Sequence, residues 1–381
     1  MLSLFSLLSL ALSVQGMAIK PTEASNDLVK KSGPKVLKLD FDVHRSSANI
    51  TKRDTPDEDL DNSRDIRYLM DMYLGSNKQK LQVDIDTGSS DLWVHNAKAG
   101  DAFGGAFNED QSSSLQHLNK DFSISYLDGS GIDGEFVKDT VTLEDGTSIN
   151  NFQFAVTDGK DNLNSPPIFG IARKGVESVS TKDEYDNFPL ALVDAGIIEK
   201  PSYSIYMTGD GGEKGLVLFG GIDRAKYSGD LVTYQMSHPT RSYIKLNTVN
   251  FNGKTYNIDH SVNMDTGTSW LILPKDVVND LSNLLGASVK SNGDKYISCD
   301  QPTDKFVTFD FGDSQIKLSY ADLVVRPFLG SCLLGASAAT TDSLLLGDVF
   351  LRKTYTYFDL EAGTVAIAPA IDTENTDIIQ A

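Results

Sequence analysis

The chain has 381 residues, more than one ordinary hydrophobic core holds, so two lobes or one large all-β unit are the starting expectations. With 40% hydrophobic residues, 31 Gly and only 12 Pro, the composition is that of a globular strand-and-turn protein and excludes a disordered chain. Residues 1–53 carry eight Lys/Arg against four Asp/Glu, leaving 26 basic and 49 acidic side chains beyond Arg53, a net near −23 that repels nucleic acid and anionic membranes.

Residues 2–14 are apolar with interspersed Ser, and the small residues Gly16 and Ala18 suit a cleavage point at 16–18. Residues 1–16 therefore read as a signal peptide, since the run is too short to span a bilayer and no later run is long enough. Residues 17–53 follow as a Lys-, Ser- and Asp-containing pro-segment with one alternating run, Val36 to Val43, that predicts a strand. It ends in Lys52-Arg53, a dibasic site for a processing protease, and the acidic stretch Asp54 to Asp65 places the mature N-terminus at Asp54.

From Tyr68 onward, short β-rich runs such as Gln79 to Ile85 and Gly215 to Gly220 alternate with Gly, Asn and Asp turns. Helical patterning is confined to Phe188–Ala195 and Lys275–Leu285, so the fold class is mainly β. Gly129 to Gly134 satisfies G-x-G-x-x-G, but the residues after it alternate as a strand and open no helix for a phosphate. The five His show no H-x-x-x-H spacing, and neither metal nor cofactor is expected. Cys299 and Cys332, 33 positions apart and outside any C-x-x-C pair, predict a single disulfide in an oxidising compartment.

An internal repeat organises the rest. Asp86-Thr87-Gly88-Ser89-Ser90 recurs as Asp265-Thr266-Gly267-Thr268-Ser269, each after an apolar strand. Ile168-Phe169-Gly170 and Leu345-Leu346-Gly347 follow their respective motifs at Gly offsets of 84 and 82. One D-T-G is an ordinary turn, but two copies at matched positions indicate two related lobes, drawn here as 54–228 and 229–381. If a near-twofold axis brings the turns together, Asp86 and Asp265 share one proton, because two touching carboxylates cannot both ionise cheaply. The ionised partner can take a proton from water while the protonated one hydrogen-bonds to a peptide carbonyl. In that arrangement Gly88 and Gly267 let the backbone approach, Ser89 and Thr268 donate to the outer oxygens, and Thr87 and Thr266 tie the loops.

These residues resemble the pepsin-like aspartic proteases from about Tyr68 to Pro369, most closely the secreted, candidapepsin-like enzymes of yeasts. The resemblance implies a two-lobed fold with the cleft between lobes, and a zymogen-derived endopeptidase acting on proteins and peptides at acidic pH. It implies a flap over Ile124 to Ser130 with Tyr126, Leu127, Asp128 and Gly129 at the substrate, an indole at Trp93 against Tyr126, and a C-lobe bridge between Cys299 and Cys332. The pro-segment becomes an inhibitor expected to be held across the acidic cleft by its Lys residues and its strand. Asp84, where an apolar residue is usual, is expected on the pocket wall with Asp128, admitting Lys or Arg before the cut, with a cationic partner or solvent beside it; the alternative is that it turns to water or stays protonated near the dyad, and Ser269 joins the binding residues. The N-lobe lacks the family's small disulfide loop over Ala97 to Phe107. The short acidic C-terminus has no lipid-anchor tail, so a secreted, extracellular monomer without membrane anchor is expected. Rival readings are a catalytically weak member serving as a peptide-binding module, which would be favoured by an altered Asp or Gly in either motif, and a processing protease restricted to basic sites.

Overall fold

Alternation of apolar side chains is what turns the N-terminal half into sheet: Leu81, Val83 and Ile85 of one strand are all buried, with Lys80 and Gln82 more exposed. The computed structural model describes residues 35–45, 66–126, 131–157, 163–179, 183–207, 214–290, 293–325 and 332–381. The expected signal peptide, Lys52-Arg53 and residues 127–130 of the expected flap lie outside the described residues.

Ten strands are labelled: β1 (Leu37–Arg45), β2 (Ile66–Leu74), β3 (Gln79–Asp86), β4 (Leu92–Val94), β5 (Gln116–Ser125), β6 (Gly131–Leu143), β7 (Ser148–Thr157), β8 (Ile168–Gly170), β9 (Ser202–Met207) and β10 (Lys214–Phe219). They belong to a 13-stranded sheet in the order Val232–Gln235, Thr364–Pro369, Thr354–Asp359, β9, β10, β1, β2, β3, β8, β4, β7, β6, β5. A second sheet of seven strands carries the C-terminal half, with Tyr243–Phe251, Lys254–Met264, Leu344–Leu346 and Leu271–Leu273 adjacent in that order. Strands from both sides of residue 228 thus share the large sheet. The helices Phe188–Asp194 and Lys275–Leu284 fall within the two segments whose periodicity predicts them. The chain is mainly β and two-lobed.

The repeat has a topological meaning. In the N-terminal half β3 enters the D-T-G turn, β4 leaves it, and β8 inserts between them, parallel to β3 with Asp86 opposite Gly170 and antiparallel to β4. In the C-terminal half Lys254–Met264 enters, Leu271–Leu273 leaves, and Leu344–Leu346 inserts with the same two senses. The residues after each inserted strand hold the turn from below: Ile171 N–H donates to the Asp86 carbonyl at 2.9 Å, and Asp348 N–H to the Thr268 carbonyl at 2.9 Å.

Two features differ from expectation. The strand predicted over Val36 to Val43 does not lie across the cleft; β1 is an interior strand of the large sheet, because Leu37, Leu39 and Phe41 are apolar enough to be buried in its core. The N-lobe loop without its disulfide is instead ordered by hydrogen bonds and packing. Asn96 caps the short 3-10 turn Ala97–Ala99, Phe107 N–H donates to the His95 carbonyl at 2.7 Å, and the Phe107 ring is fully buried against Phe154. In the C-terminal half Cys299 and Cys332 form a disulfide with Cα atoms 5.2 Å apart.

Candidate active site

The two D-T-G turns meet where the two sheets approach, and each threonine serves the opposite loop. Thr87 N–H donates to Thr266 Oγ1 at 3.0 Å and Thr266 N–H to Thr87 Oγ1 at 3.0 Å. Their hydroxyls then donate onward, Thr87 Oγ1 to the Met264 carbonyl at 3.0 Å and Thr266 Oγ1 to the Ile85 carbonyl at 2.6 Å. All four bonds are buried, so the lobes are pinned at the base of the cleft by groups that water cannot replace. Thr266→Val, which keeps the shape but strands two backbone groups, is expected to lower unfolding free energy by about 2–4 kcal/mol in urea titration. A loss below about half a kcal/mol, the scatter of neutral surface changes, would show that the cross-bond is not what pins the lobes.

Above this bracket the two carboxylates are held in matching ways. Asp86 Oδ1 accepts from Gly88 N–H at 2.7 Å and its Oδ2 from the Ser89 hydroxyl; Asp265 Oδ1 accepts from Gly267 N–H at 3.0 Å and its Oδ2 from Thr268 Oγ1 at 3.1 Å. Glycine is needed at both turns: a Cβ on Gly88 would stand 2.7 Å from Asp265 Oδ1, and one on Gly267 2.6 Å from Asp86 Oδ1. The carboxylates are only 6% and 7% exposed. Burial, and then the negative charge of Asp86, push the Asp265 carboxyl up to about 7. The pair therefore holds a proton well above the usual carboxylate range, which places an acid and a base against one site.

A cleft of about 980 Å³ opens over this pair. Trp93, Tyr126, Ile132 and Ile168 line it from one half, and Tyr243, Thr268, Ser269 and Trp270 from the other. β5 and β6 form an antiparallel hairpin, with Ser125 opposite Gly131, that carries Tyr126 over the cleft. The Trp93 indole N–H donates to the Tyr126 hydroxyl at 2.6 Å and fixes the ring's position. Beneath the hairpin Phe122 and Phe136 meet edge to face at 5.2 Å in a small core of their own with Trp93. β6 runs as a strand through Gly131 and Gly134, so the part of the G-x-G-x-x-G sequence from Gly131 on lies in a strand of this hairpin.

Asp84 is placed differently from its expectation on the pocket wall. Arg67 lines the cleft and Asp84 does not. The Asp84 carboxylate is buried at 3% exposure, its Oδ1 accepting from Tyr68 N–H at 2.9 Å and its Oδ2 from the Arg67 guanidinium at 3.2 Å. A buried carboxylate needs a cation, and β2 supplies it from within the chain, so a substrate Lys would have to displace Arg67. Burial, only partly offset by Arg67, raises the Asp84 carboxyl to about 6.

The internal symmetry also extends to residues that motif reading passes over. Leu69, two positions beyond Arg67, pairs with Asp84; Tyr243, two positions beyond Arg241, pairs with Asn263. Arg67 and Arg241 are thus equivalent cleft-lining cations, recognisable only once strand register is known. Asp91, within the first motif's flank, is fully buried and accepts from the Tyr185 hydroxyl at 2.5 Å and Ser178 N–H at 2.7 Å, clamping Ser178 and Tyr185 beside the cleft.

Comparison with known proteins agrees with this geometry. Residues 67–370 match the family described as eukaryotic aspartyl protease. Candidapepsin of Candida tropicalis is 34% identical over 398 residues, spanning 99% of this chain and 97% of that protein. Secreted aspartic protease 10 of Candida albicans is 31% identical, with 90% of this chain and 80% of the relative covered, and an acid protease of Saccharomycopsis fibuligera 31%, with 88% and 93% covered.

Proposed function

The chain belongs to the eukaryotic aspartyl protease family and is an aspartic-type endopeptidase, and from that premise we propose that it is a secreted, zymogen-derived enzyme whose Asp86 and Asp265 together activate water. The observation that carries this reading is the matched hydrogen bonding of two facing carboxylates with one raised to about 7. With the proton on the pair, one carboxyl donates to the carbonyl oxygen of the scissile peptide while its ionised partner takes a proton from the attacking water. The tetrahedral intermediate then collapses as a proton passes to the leaving nitrogen, and no covalent enzyme intermediate forms. Both D-T-G motifs are intact, which argues against the reading of a binding module without catalysis.

Secretion is supported by the apolar N-terminal run and by a relative named as a secreted aspartic protease; among the described residues no helix is long and apolar enough to cross a membrane. Cleavage after Lys52-Arg53 by a dibasic-specific protease completes the reading. Trp93, Tyr126, Ile132 and Ile168 offer apolar and aromatic contact to the substrate, so cleavage is expected next to bulky apolar residues. Because Arg67 occupies the Asp84 carboxylate, that carboxylate adds no affinity for Lys or Arg. Mass-spectrometric mapping of fragments from a denatured protein, at pH 4 to 7 with and without pepstatin, tests both points. The expected result is pepstatin-sensitive cutting beside Phe, Leu or Tyr; pepstatin-insensitive cutting, or none by correctly processed protein, would sink the assignment.

A further inference from the structure

Among the described residues, β1 joins two parts of the large sheet that otherwise have no shared edge. Its residues Leu37 to Asp42 pair with β10, Leu37 opposite Phe219 and Asp42 opposite Lys214, while Asp42 to Arg45 pair with β2. On one side of it stand β10, β9 and the strands 354–359, 364–369 and 232–235; on the other stand β2, β3 and the wedge that holds Asp86. The seat is shaped for this strand. Leu37, Leu39 and Phe41 are 3–4% exposed, and the Phe41 ring lies over Gly215, where any Cβ would stand 2.2 Å from it. The same ring meets the fully buried Tyr68 edge to face at 5.3 Å. Upstream, Val36 packs on Gly221, and Lys35 N–H donates to Gln380 Oε1 at 3.2 Å.

The proposed cut after Arg53 separates this strand from the catalytic chain, and the new N-terminus cannot replace it. Residues 54–65 contain six acidic side chains and Pro56, with Leu60 the one large apolar residue. Put into the seat of β1, they would bury carboxylates where Leu37, Leu39 and Phe41 now sit, and Pro would remove a ladder donor. We infer that the processed enzyme is a two-chain protein, in which the β1 strand stays bound as a non-covalent structural subunit between β10 and β2. The N-terminal segment then acts as a permanent partner of the sheet, and inhibition, where it occurs, has to come from its other residues.

The inference rests on the proposed processing, and the two are tested separately. Incubating the unaltered chain with a dibasic-specific protease and reading fragment masses shows whether the cut falls after Arg53. Retention is tested on a variant in which the recognition sequence of a site-specific protease replaces Lys52-Arg53, so that cutting does not depend on the first result. After complete cutting on a denaturing gel, size exclusion and native mass spectrometry are expected to show one N-terminal fragment bound per catalytic chain. In the same cut protein Phe41→Ala should weaken retention by about a hundredfold or more, the factor that loss of a buried aromatic side chain implies. Should that variant fail to fold, Leu39→Ala replaces it with a smaller expected weakening. Elution of the fragment apart from the catalytic chain overturns the inference, whether that chain stays folded or precipitates.

Discussion

Asp86→Asn or Asp265→Asn alone should lower peptide hydrolysis by about four orders of magnitude or more, while each purified variant still folds. The two carboxyls act as one unit through a shared proton, so loss of either removes both the acid and the base, and single and double variants should be similarly inactive. The fold tolerates the change because the amide is the same shape. Its oxygen can still accept from Gly88 or Gly267 N–H, and its NH₂ can face the Ser89 or Thr268 hydroxyl, which then accepts instead of donating. Replacement also removes a buried charge that Asp265 bears against Asp86, so the melting temperature at pH 7 should not fall. Turnover of a quenched peptide alongside thermal melts reads both quantities. Near-normal turnover by either variant, with the protein folded, would show that the pair does not carry the chemistry.

What could be read from the chain was whatever depends on local pattern. The paired D-T-G turns, the Ile168–Gly170 and Leu345–Gly347 repeats and the two helices all sit where periodicity and turn chemistry put them, because each is decided by a few neighbouring residues. Register across the sheet is not decided so locally. The run from Val36 to Val43 declares a strand, but its partners are Phe219 to Lys214 far along the chain, and nothing in the run distinguishes a seat in the sheet from a position over the cleft. Asp84 illustrates the same limit. A period of two correctly puts it on one face with Asp86, yet the cation on that face comes from Arg67 on the adjacent strand, which donates to its carboxylate. The hairpin 354–369 likewise joins the sheet of the N-terminal half, an assignment that no boundary drawn in sequence could supply.

Stability is expected to be highest near pH 4 and to fall as pH rises to 7. Burial is the first cause in each of the groups that decide this. It raises Asp84 to about 6 and Asp265 to about 7, and it lifts the fully buried Asp348 well above the usual carboxylate range against the opposing pull of Arg352. Asp84 and Asp265 add to the rise at Asp348 by their own charges, and burial also raises Asp91 and Glu177. A carboxyl whose folded value exceeds its unfolded value binds more protons in the folded state between the two. Its contribution is therefore complete below the unfolded value, near 3.8, and is lost as pH climbs through the folded value. Each tenfold difference in proton affinity between the folded and unfolded chain is worth about 1.4 kcal/mol, so the buried carboxyls together cost several kcal/mol by pH 7, or roughly 10 °C in melting temperature. The acid limit has the opposite sign. Asp259 and Asp280 are held below their ordinary value by hydrogen bonds from Lys245 and Lys254, and what those exposed pairs add is lost only as pH drops through their lowered values. Asp84→Asn together with Asp348→Asn should flatten the decline between pH 5 and 7, since two of the buried groups no longer titrate. Thermal melts at whole-number steps from pH 3 to 8 measure the profile, and a melting temperature that is level or rising from pH 4 to 7 would contradict the claim that buried, mutually repelling carboxyls set it.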